Sequence, residues 1–314
     1  MSLIVNDLFK RYGDKTVVDH LSFTMPGPGV YALLGTNGAG KTTAIRMILG
    51  MLARDGGEVS WNGGPLTTGS CNVGYLAEER GLYPKYGLMD QLIYFASLRG
   101  VSRSDAKTRI QNWAERLEVT EYLYPAPPVR GKKREKPKLA DQLSKGNQQK
   151  IQFLTALLSD PELLILDEPM SGLDPVNTDL FKDILRDEIN AGKYLILSSH
   201  QMATVEEFCT DITILNRSKT VLQGNLNEIK KSYGRVHLAL KTEQDITAQI
   251  CAAGIEPFSE KPCEYQLRVS GEQQANALLS RLIADGVTVI TFNLREPTLH
   301  ELFVEKVGED HVEA

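Results

Sequence analysis

The stretch Gly35-Thr36-Asn37-Gly38-Ala39-Gly40-Lys41-Thr42-Thr43 constrains this chain more than any other. It fits the spacing G-x-x-x-x-G-K-[ST] and lies between a strand-like apolar run, Val30 to Leu34, and a helical run, Ala44 to Leu52. A glycine-rich hairpin that binds nothing does not need that strand, loop and helix order; a phosphate-binding loop does. Gly35, Gly38 and Gly40 let the backbone turn tightly, so that successive N–H groups of the loop, including those of Asn37 and Ala39, point inward at an anion. The helix that follows Lys41, Thr42 and Thr43 adds the positive end of its dipole. The spacing predicts that Lys41 reaches the β- and γ-phosphates of a nucleotide and that the Thr42 hydroxyl ligates Mg²⁺.

A chain of 314 residues has room for one large domain and a small one. A net charge of −5 argues against a broad nucleic-acid-binding face, though not against a local basic patch. Cys71, Cys209, Cys251 and Cys263 form no C-x-x-C pair and read as buried, reduced thiols of a cytosolic protein. The N-terminal residues show no basic region leading into an apolar core, and no apolar run approaches the roughly 20 residues that cross a bilayer. Work at a membrane would therefore go through a partner.

Taken in order, residues 3–8 and 17–25 read as strands, followed by the strand that feeds the phosphate loop. Tyr12 is an aromatic beside a turn, where local packing is the ordinary explanation. Strands at 58–61 and 72–76 bracket a turn region, and from Leu88 to about Leu117 the period becomes helical, with Ile110, Trp113, Ala114 and Leu117 on one face. In residues 125–138 three prolines are followed by a basic run from Arg130 to Lys138. A solvated loop is the first reading, and contact with anionic lipid or a partner subunit the alternative.

The segment Leu143-Ser144-Lys145-Gly146-Asn147 opens an amphipathic helix with Ser144 as its N-cap and Gly146 permitting close backbone approach. Then Leu163-Leu164-Ile165-Leu166 reads as a strand buried on both faces, ending in Asp167 and Glu168. Carboxylates just past such a strand lie at the sheet edge where open α/β folds bind ligands. Asp167 is expected to hold Mg²⁺, directly or through water, and Glu168 to orient or deprotonate an attacking water. Asp174 sits in a tight loop before a helix. A further buried strand, 194–197, ends at Ser198-Ser199-His200, which puts His200 on the same edge as Lys41 and Glu168 and favours a γ-phosphate contact.

With these motifs in this order, residues 3–226 resemble an ABC-transporter ATPase subunit. The resemblance implies a P-loop NTPase fold of the α/β class, with a RecA-like core, an antiparallel β subdomain and a helical subdomain at about 84–160. It implies ATP and Mg²⁺ as ligands and a head-to-tail homodimer, or a pair of ATPase chains, with two ATP molecules between them. Ser144, Gly146 and Asn147 then belong to the signature that meets the γ-phosphate held by the opposite chain. Tyr12 is the adenine-stacking aromatic, Asp174 lies in the loop crossing the dimer interface, and His200 is the switch histidine. The family signature has Gly and Gln where this chain has Lys145 and Asn147, a variant resembling that of bacterial exporter ATPases.

Glu78 stands where the family usually has a Gln that touches Mg²⁺ or its water. A carboxylate suits the metal, but without it the charge faces the polyphosphate at a cost of roughly 2 kcal/mol at about 7 Å and a dielectric near 20. Glu78 is therefore expected to make nucleotide binding more Mg²⁺-dependent.

Residues 235–308 read as a separate α+β domain in β-α-β-β-α-β order, the split βαβ arrangement, after a first domain of 1–226. It resembles the C-terminal domain of some multidrug, antibiotic and sodium exporter ATPases. The combined expectation is an ATPase on the inner face of the cell membrane that powers export through a separate transmembrane permease. Action on nucleic acid or the ribosome, and service to an importer, are the rivals. The first usually needs two ATPase units in one chain or a long coiled coil, and the signature variant and C-terminal domain speak against the second.

Overall fold

The computed structural model describes residues 1–79, 81–124 and 138–312, so the basic stretch lies outside the described residues except for Lys138. The chain forms two units, Met1–Gln201 with Glu207–Gln223, and Met202–Glu206 with Gly224–Ala314.

In the first unit β1 (Leu3–Tyr12) and β2 (Lys15–Met25) form a hairpin, β3 (Gly29–Gly35) follows, and the glycine loop leads into α1 (Lys41–Ile48). The chain continues through β4 (Gly56–Trp61) and the short β5 (Gly64–Pro65), which sequence reading placed in a turn. Between them Asn62 and Gly63 both take positive φ, 53° and 81°, the conformation that an Asn-Gly hairpin turn uses. After β6 (Val73–Leu76) come α2 (Leu88–Leu98), α3 (Arg103–Arg116) and α4 (Thr120–Leu123). The helical period from Leu88 to Leu117 is thus split between two helices. Gly100, at φ 75°, follows the end of the first, and Ser102 caps the second by accepting from the backbone N–H of Asp105.

The unit is completed by α5 (Lys145–Leu157), β7 (Leu163–Asp167), α6 (Pro175–Asn190) and β8 (Tyr194–Ser199). Beyond α7 (Met202–Glu206), β9 (Asp211–Asn216) and β10 (Lys219–Asn225) follow. The large sheet has the order β10-β9-β3-β8-β7-β6, and the neighbours from β9 to β6 run parallel. β7 and β8 are buried along their whole length, which is why they read as unbroken apolar runs. A second, antiparallel sheet, β2-β1-β4-β5, shares one core with the large sheet and α1: Leu3, Val5 and Leu21 meet Ala44, Ile45, Ile165 and Ile196 there.

The second unit adds α8 (Leu226–Tyr233), β11 (His237–Thr242), α9 (Thr247–Ala252), β12 (Glu256–Lys261) and β13 (Glu264–Arg268). It closes with α10 (Glu272–Ala284), β14 (Val289–Arg295) and α11 (Leu299–Val312). The sheet order β12-β13-β11-β14, antiparallel throughout, is the split βαβ topology. Leu238, Leu240, Tyr265 and Leu267 from the strands pack on Ile250, Ala275, Leu278 and Leu282 from the helices. The last helix begins with a capping box: Thr298 Oγ1 accepts from Glu301 N at 3.2 Å, and Glu301 Oε2 accepts from Thr298 N at 2.7 Å.

Arg295 donates to both Glu301 oxygens at 2.7 Å. Burial opposes the Glu301 charge, but Arg295, His237 and the Thr298 N–H outweigh it and hold the carboxyl far below its usual range. The stabilisation is therefore full above the ordinary glutamate value of about 4.3 and lost as the pH falls through and below it. Glu301→Gln is expected to cost about 2 kcal/mol at pH 7 in urea unfolding, with a deficit that shrinks below about pH 4. An equal deficit at both pH values would mean that packing, not charge, accounts for the loss.

None of the four cysteines is in a disulfide, but burial was expected for each and holds only for Cys71 and Cys209. Cys251 is exposed on a helix and Cys263 partly exposed in a turn. Burial pushes the Cys71 thiol up to about 12.

Candidate functional site: a phosphate cradle at the sheet edge

Parallel pairing puts the C-terminal ends of β3, β8 and β7 on one edge, with Leu34 opposite Ser199 and Asp167 opposite Ser198. The glycine loop and the start of α1 sit on that edge. Two glycines are required there by packing as well as conformation. A Cβ on Gly35, at φ 150°, would stand 2.3 Å from the Leu215 carbonyl oxygen, and one on Gly40, at φ 104°, 2.3 Å from that of Val17. Between the loop and its surroundings lies a cavity of about 320 Å³, lined by Asn37, Gly38, Gly40 and Lys41 to Thr43, and by Lys15, Val17, Glu78 and Glu168. Ala39 is buried, and its N–H, expected to point at an anion, instead donates to the Thr36 carbonyl at 3.2 Å and closes the loop's own turn.

Lys41 is buried, and its ammonium donates to the carbonyl oxygens of Gly35 at 2.9 Å and Thr36 at 3.3 Å. It also lies 3.3 Å from Glu168 Oε1, an ion pair without hydrogen-bond alignment. The other Glu168 oxygen is 2.9 Å from His200 Nδ1. Glu168 itself is held at φ 51°, an uncommon conformation for a non-glycine residue. Its N–H donates to Ser198 Oγ at 3.0 Å and lies 3.2 Å from the Ser198 carbonyl, which fixes the carboxylate between lysine and histidine.

Asp167 is fully buried and accepts from Ser198 Oγ through Oδ1. Burial lifts its carboxyl above the ordinary range, hydrogen bonds from Ser198 and Thr42 pull the other way, and the charges of Glu78 and Glu168 add to the rise. Its Oδ2 has no hydrogen-bond partner among the described residues. The Thr42 hydroxyl donates to Glu78 Oε2 at 3.3 Å. A hydroxyl and two carboxylates, one of them with an orphaned buried oxygen, form a donor set that suits a hard divalent cation.

Tyr12 ends β1 across from Lys15, which lines the cavity; the ring is half exposed, with Lys10 Nζ 5.2 Å from its centroid. Of the residues expected at a nucleotide, Tyr12, Gly35, Ala39, Asp167 and His200 stand behind or beside the cavity lining, and Ser144, Gly146, Asn147 and Asp174 are not part of it either. Ser144 caps α5 by accepting from the N–H of Asn147, at 3.2 Å. The Asn147 amide donates to the Tyr122 hydroxyl at 2.8 Å. A Cβ on Gly146 would meet Leu173 at an ordinary 3.7 Å, so the chain's own packing does not require glycine there. Asp174 caps α6, and the backbone N–H of Asn177, at 2.9 Å, helps hold its carboxyl low. The contact of Gly146 with Leu173 does place the Ser144 segment beside the Asp174 loop.

Sequence reading gave no role to Ser198, Lys15, Val17 or Gln149. Ser198 serves both acids only because register places it opposite Asp167. Lys15 and Val17 come from the neighbouring sheet. Gln149 donates to the Pro169 carbonyl at 3.1 Å, tying α5 to the loop after Glu168; its place on the buried face of an apolar helix was the available signal.

Residues 18–171 match the family described as ABC transporter, and residues 224–307 the family described as ATP-binding protein DrrA1-3-like, C-terminal domain. The uncharacterized ABC transporter ATP-binding protein YhaQ of Bacillus subtilis is 41% identical, the alignment covering 98% of each chain. The Nod factor export ATP-binding protein I of Ralstonia nicotianae is 32% identical over 72% of this chain and 68% of its own. A solved structure titled as the ATP binding subunit of an ABC transporter superposes with a TM-score of 0.65 at 28% identity, covering 74% of this chain and 93% of that one. A glycine cradle at the edge of a parallel sheet, two acids ending the adjacent strand and relatives of this kind along nearly the whole chain lead to one conclusion: the protein belongs to the ATP-binding subunits of ABC transporters and carries a DrrA-like C-terminal domain.

Proposed function

We infer that this ATP-binding subunit hydrolyses ATP to drive export through a separate transmembrane subunit, working as a head-to-tail pair of chains with two ATP molecules between them. One observation carries the reading: Glu168 is fixed at the phosphate cradle between Lys41 and His200. In this reading Lys41 leaves its carbonyl and carboxylate partners for the β- and γ-phosphates. Glu168, then held by His200 and its own backbone, takes or orients the proton of the attacking water. The N–H groups of Asn37, Gly38 and Gly40 through Thr43 hold the phosphates, and Tyr12, backed by Lys10, stacks on adenine. Thr42, Asp167 and Glu78 would hold Mg²⁺, which when bound supplies charge neutralisation at the phosphates.

Ser144, Gly146, Asn147 and Asp174 share a surface away from their own chain's cavity, which suits residues that complete the site of a second chain. Export is supported by the similarity to a Nod factor export protein and by the DrrA-like domain. No helix among the described residues is long and apolar enough to cross a membrane; in this reading another subunit carries translocation, with this chain on the cytoplasmic face.

Tyr83, Tyr86, Tyr94 and Leu98 are exposed together around α2, the kind of apolar patch that a partner covers. Tyr83→Ala with Tyr94→Ala is expected to reduce co-purification with a multi-helix membrane protein at least about tenfold, while MgATP affinity changes less than about twofold. Undiminished co-purification would move the contact elsewhere; absence of any membrane partner for the parent chain would remove the transport reading.

A further inference from the structure

The charges around the phosphate cavity are unevenly offset. Glu168 is balanced by Lys41, whose ammonium is already engaged at 3.3 Å. Asp167 and Glu78 have no ion-pair partner among the described residues, yet both bear on the same hydroxyl, that of Thr42. A single hydroxyl proton cannot satisfy two carboxylates. Asp167 Oδ2 is left buried without a partner, on a residue with no exposed surface. Polyphosphate arriving alone would add negative charge to this point; a divalent cation arriving alone would remove it. Mg²⁺ and Mn²⁺ are hard ions that accept one or two carboxylates and keep several waters, which fits a site open to the cavity on one side.

We propose that the carboxylates of Glu78 and Asp167, converging on the Thr42 hydroxyl, take up a divalent cation before nucleotide, so that metal binds first and ATP second. This order rests on the reading of the cavity as the ATP site. Glu78 is then the residue that determines it, because a neutral amide at that position leaves one anionic ligand where this chain has two.

The test titrates nucleotide-free, untagged full-length protein with Mn²⁺ and follows the free ion by electron paramagnetic resonance. The parent is expected to bind one Mn²⁺ per chain, displaceable by Mg²⁺. Glu78→Gln, close to isosteric, should weaken that binding at least about tenfold. Glu79→Gln, which neutralises an exposed neighbour paired with Arg46, should leave it unchanged. In chelator, Glu78→Gln should also bind ATP several-fold more tightly than the parent, and a thermal melt matching the parent's shows that the variant is folded. Equal Mn²⁺ affinities for parent and Glu78→Gln, or equal metal-free ATP affinities, would overturn the proposal. If the parent binds MgATP but takes up no Mn²⁺ without nucleotide, the metal-first order fails alone. If the parent binds no MgATP, the nucleotide reading of the cavity fails and this order with it.

Discussion

Glu168→Gln will hydrolyse ATP at least about 100-fold more slowly than the parent chain, a loss of about 2.7 kcal/mol of transition-state stabilisation, while binding MgATP at least as tightly. Among the described residues of the cavity, this carboxylate alone is placed by two side chains and a strained backbone at once, with Lys41 on one oxygen and His200 on the other. Neutralising it removes the base or orienting acceptor for water. It also frees the Lys41 ammonium for phosphate and removes a negative charge from a cavity already shared with Asp167 and Glu78. Binding should therefore not weaken. With hydrolysis blocked, MgATP should hold the chains together, visible as a dimer in sedimentation with MgATP and a monomer without it. A variant that turns over at the parent rate would take Glu168 out of the reaction.

Ser144→Arg will abolish hydrolysis, and it will do so without weakening the binding of MgATP to the isolated chain. Ser144 lies at the start of α5, outside the cavity that its own chain forms around Lys41. Its hydroxyl caps the helix, so substitution also removes a capping bond worth about 1 kcal/mol. Ser144→Asn, which keeps a capping oxygen, separates that structural loss from blockage by a bulky cation. The expected order of activity is parent, then Ser144→Asn, then an inactive Ser144→Arg, with monomer nucleotide affinities equal within about twofold. Parallel loss of monomer affinity would place Ser144 at its own chain's nucleotide.

The glycine cradle, the acids at 167 and 168 and the split βαβ order at the C-terminus were legible because each is written locally. Gly35 and Gly40 mark backbone that no side chain can enter, Leu163 to Leu166 mark a strand buried on both faces, and alternation marks the antiparallel strands around Leu238 and Leu267. β9 was not legible. Its burial comes from pairing with β3, roughly 180 residues earlier in the chain, and six residues of mixed pattern carry no sign of that partner. Ser198 illustrates the same limit at the site: a serine closing a strand is unremarkable until register sets it opposite Asp167. The break of the first long helical period into α2 and α3 was written locally, in Gly100 and Ser102, but the apolar period on both sides outweighed it. The roles proposed for Ser144 and Asp174 involve a second chain, and within one chain the two residues show only as helix caps.

In the proposed dimer one chain's cradle is completed by the other chain's Ser144 segment. Mixing two inactive proteins tests it most directly. The Ser144→Arg chain retains Lys41, and a Lys41→Ala chain retains Ser144; a mixed dimer therefore contains one complete site and one doubly broken one. With random pairing half the dimers are mixed, so an equimolar mixture should recover about a quarter of the parent ATPase rate if the sites act independently. No recovery at any mixing ratio, with each variant folded and the Ser144→Arg chain still binding MgATP, would contradict the account.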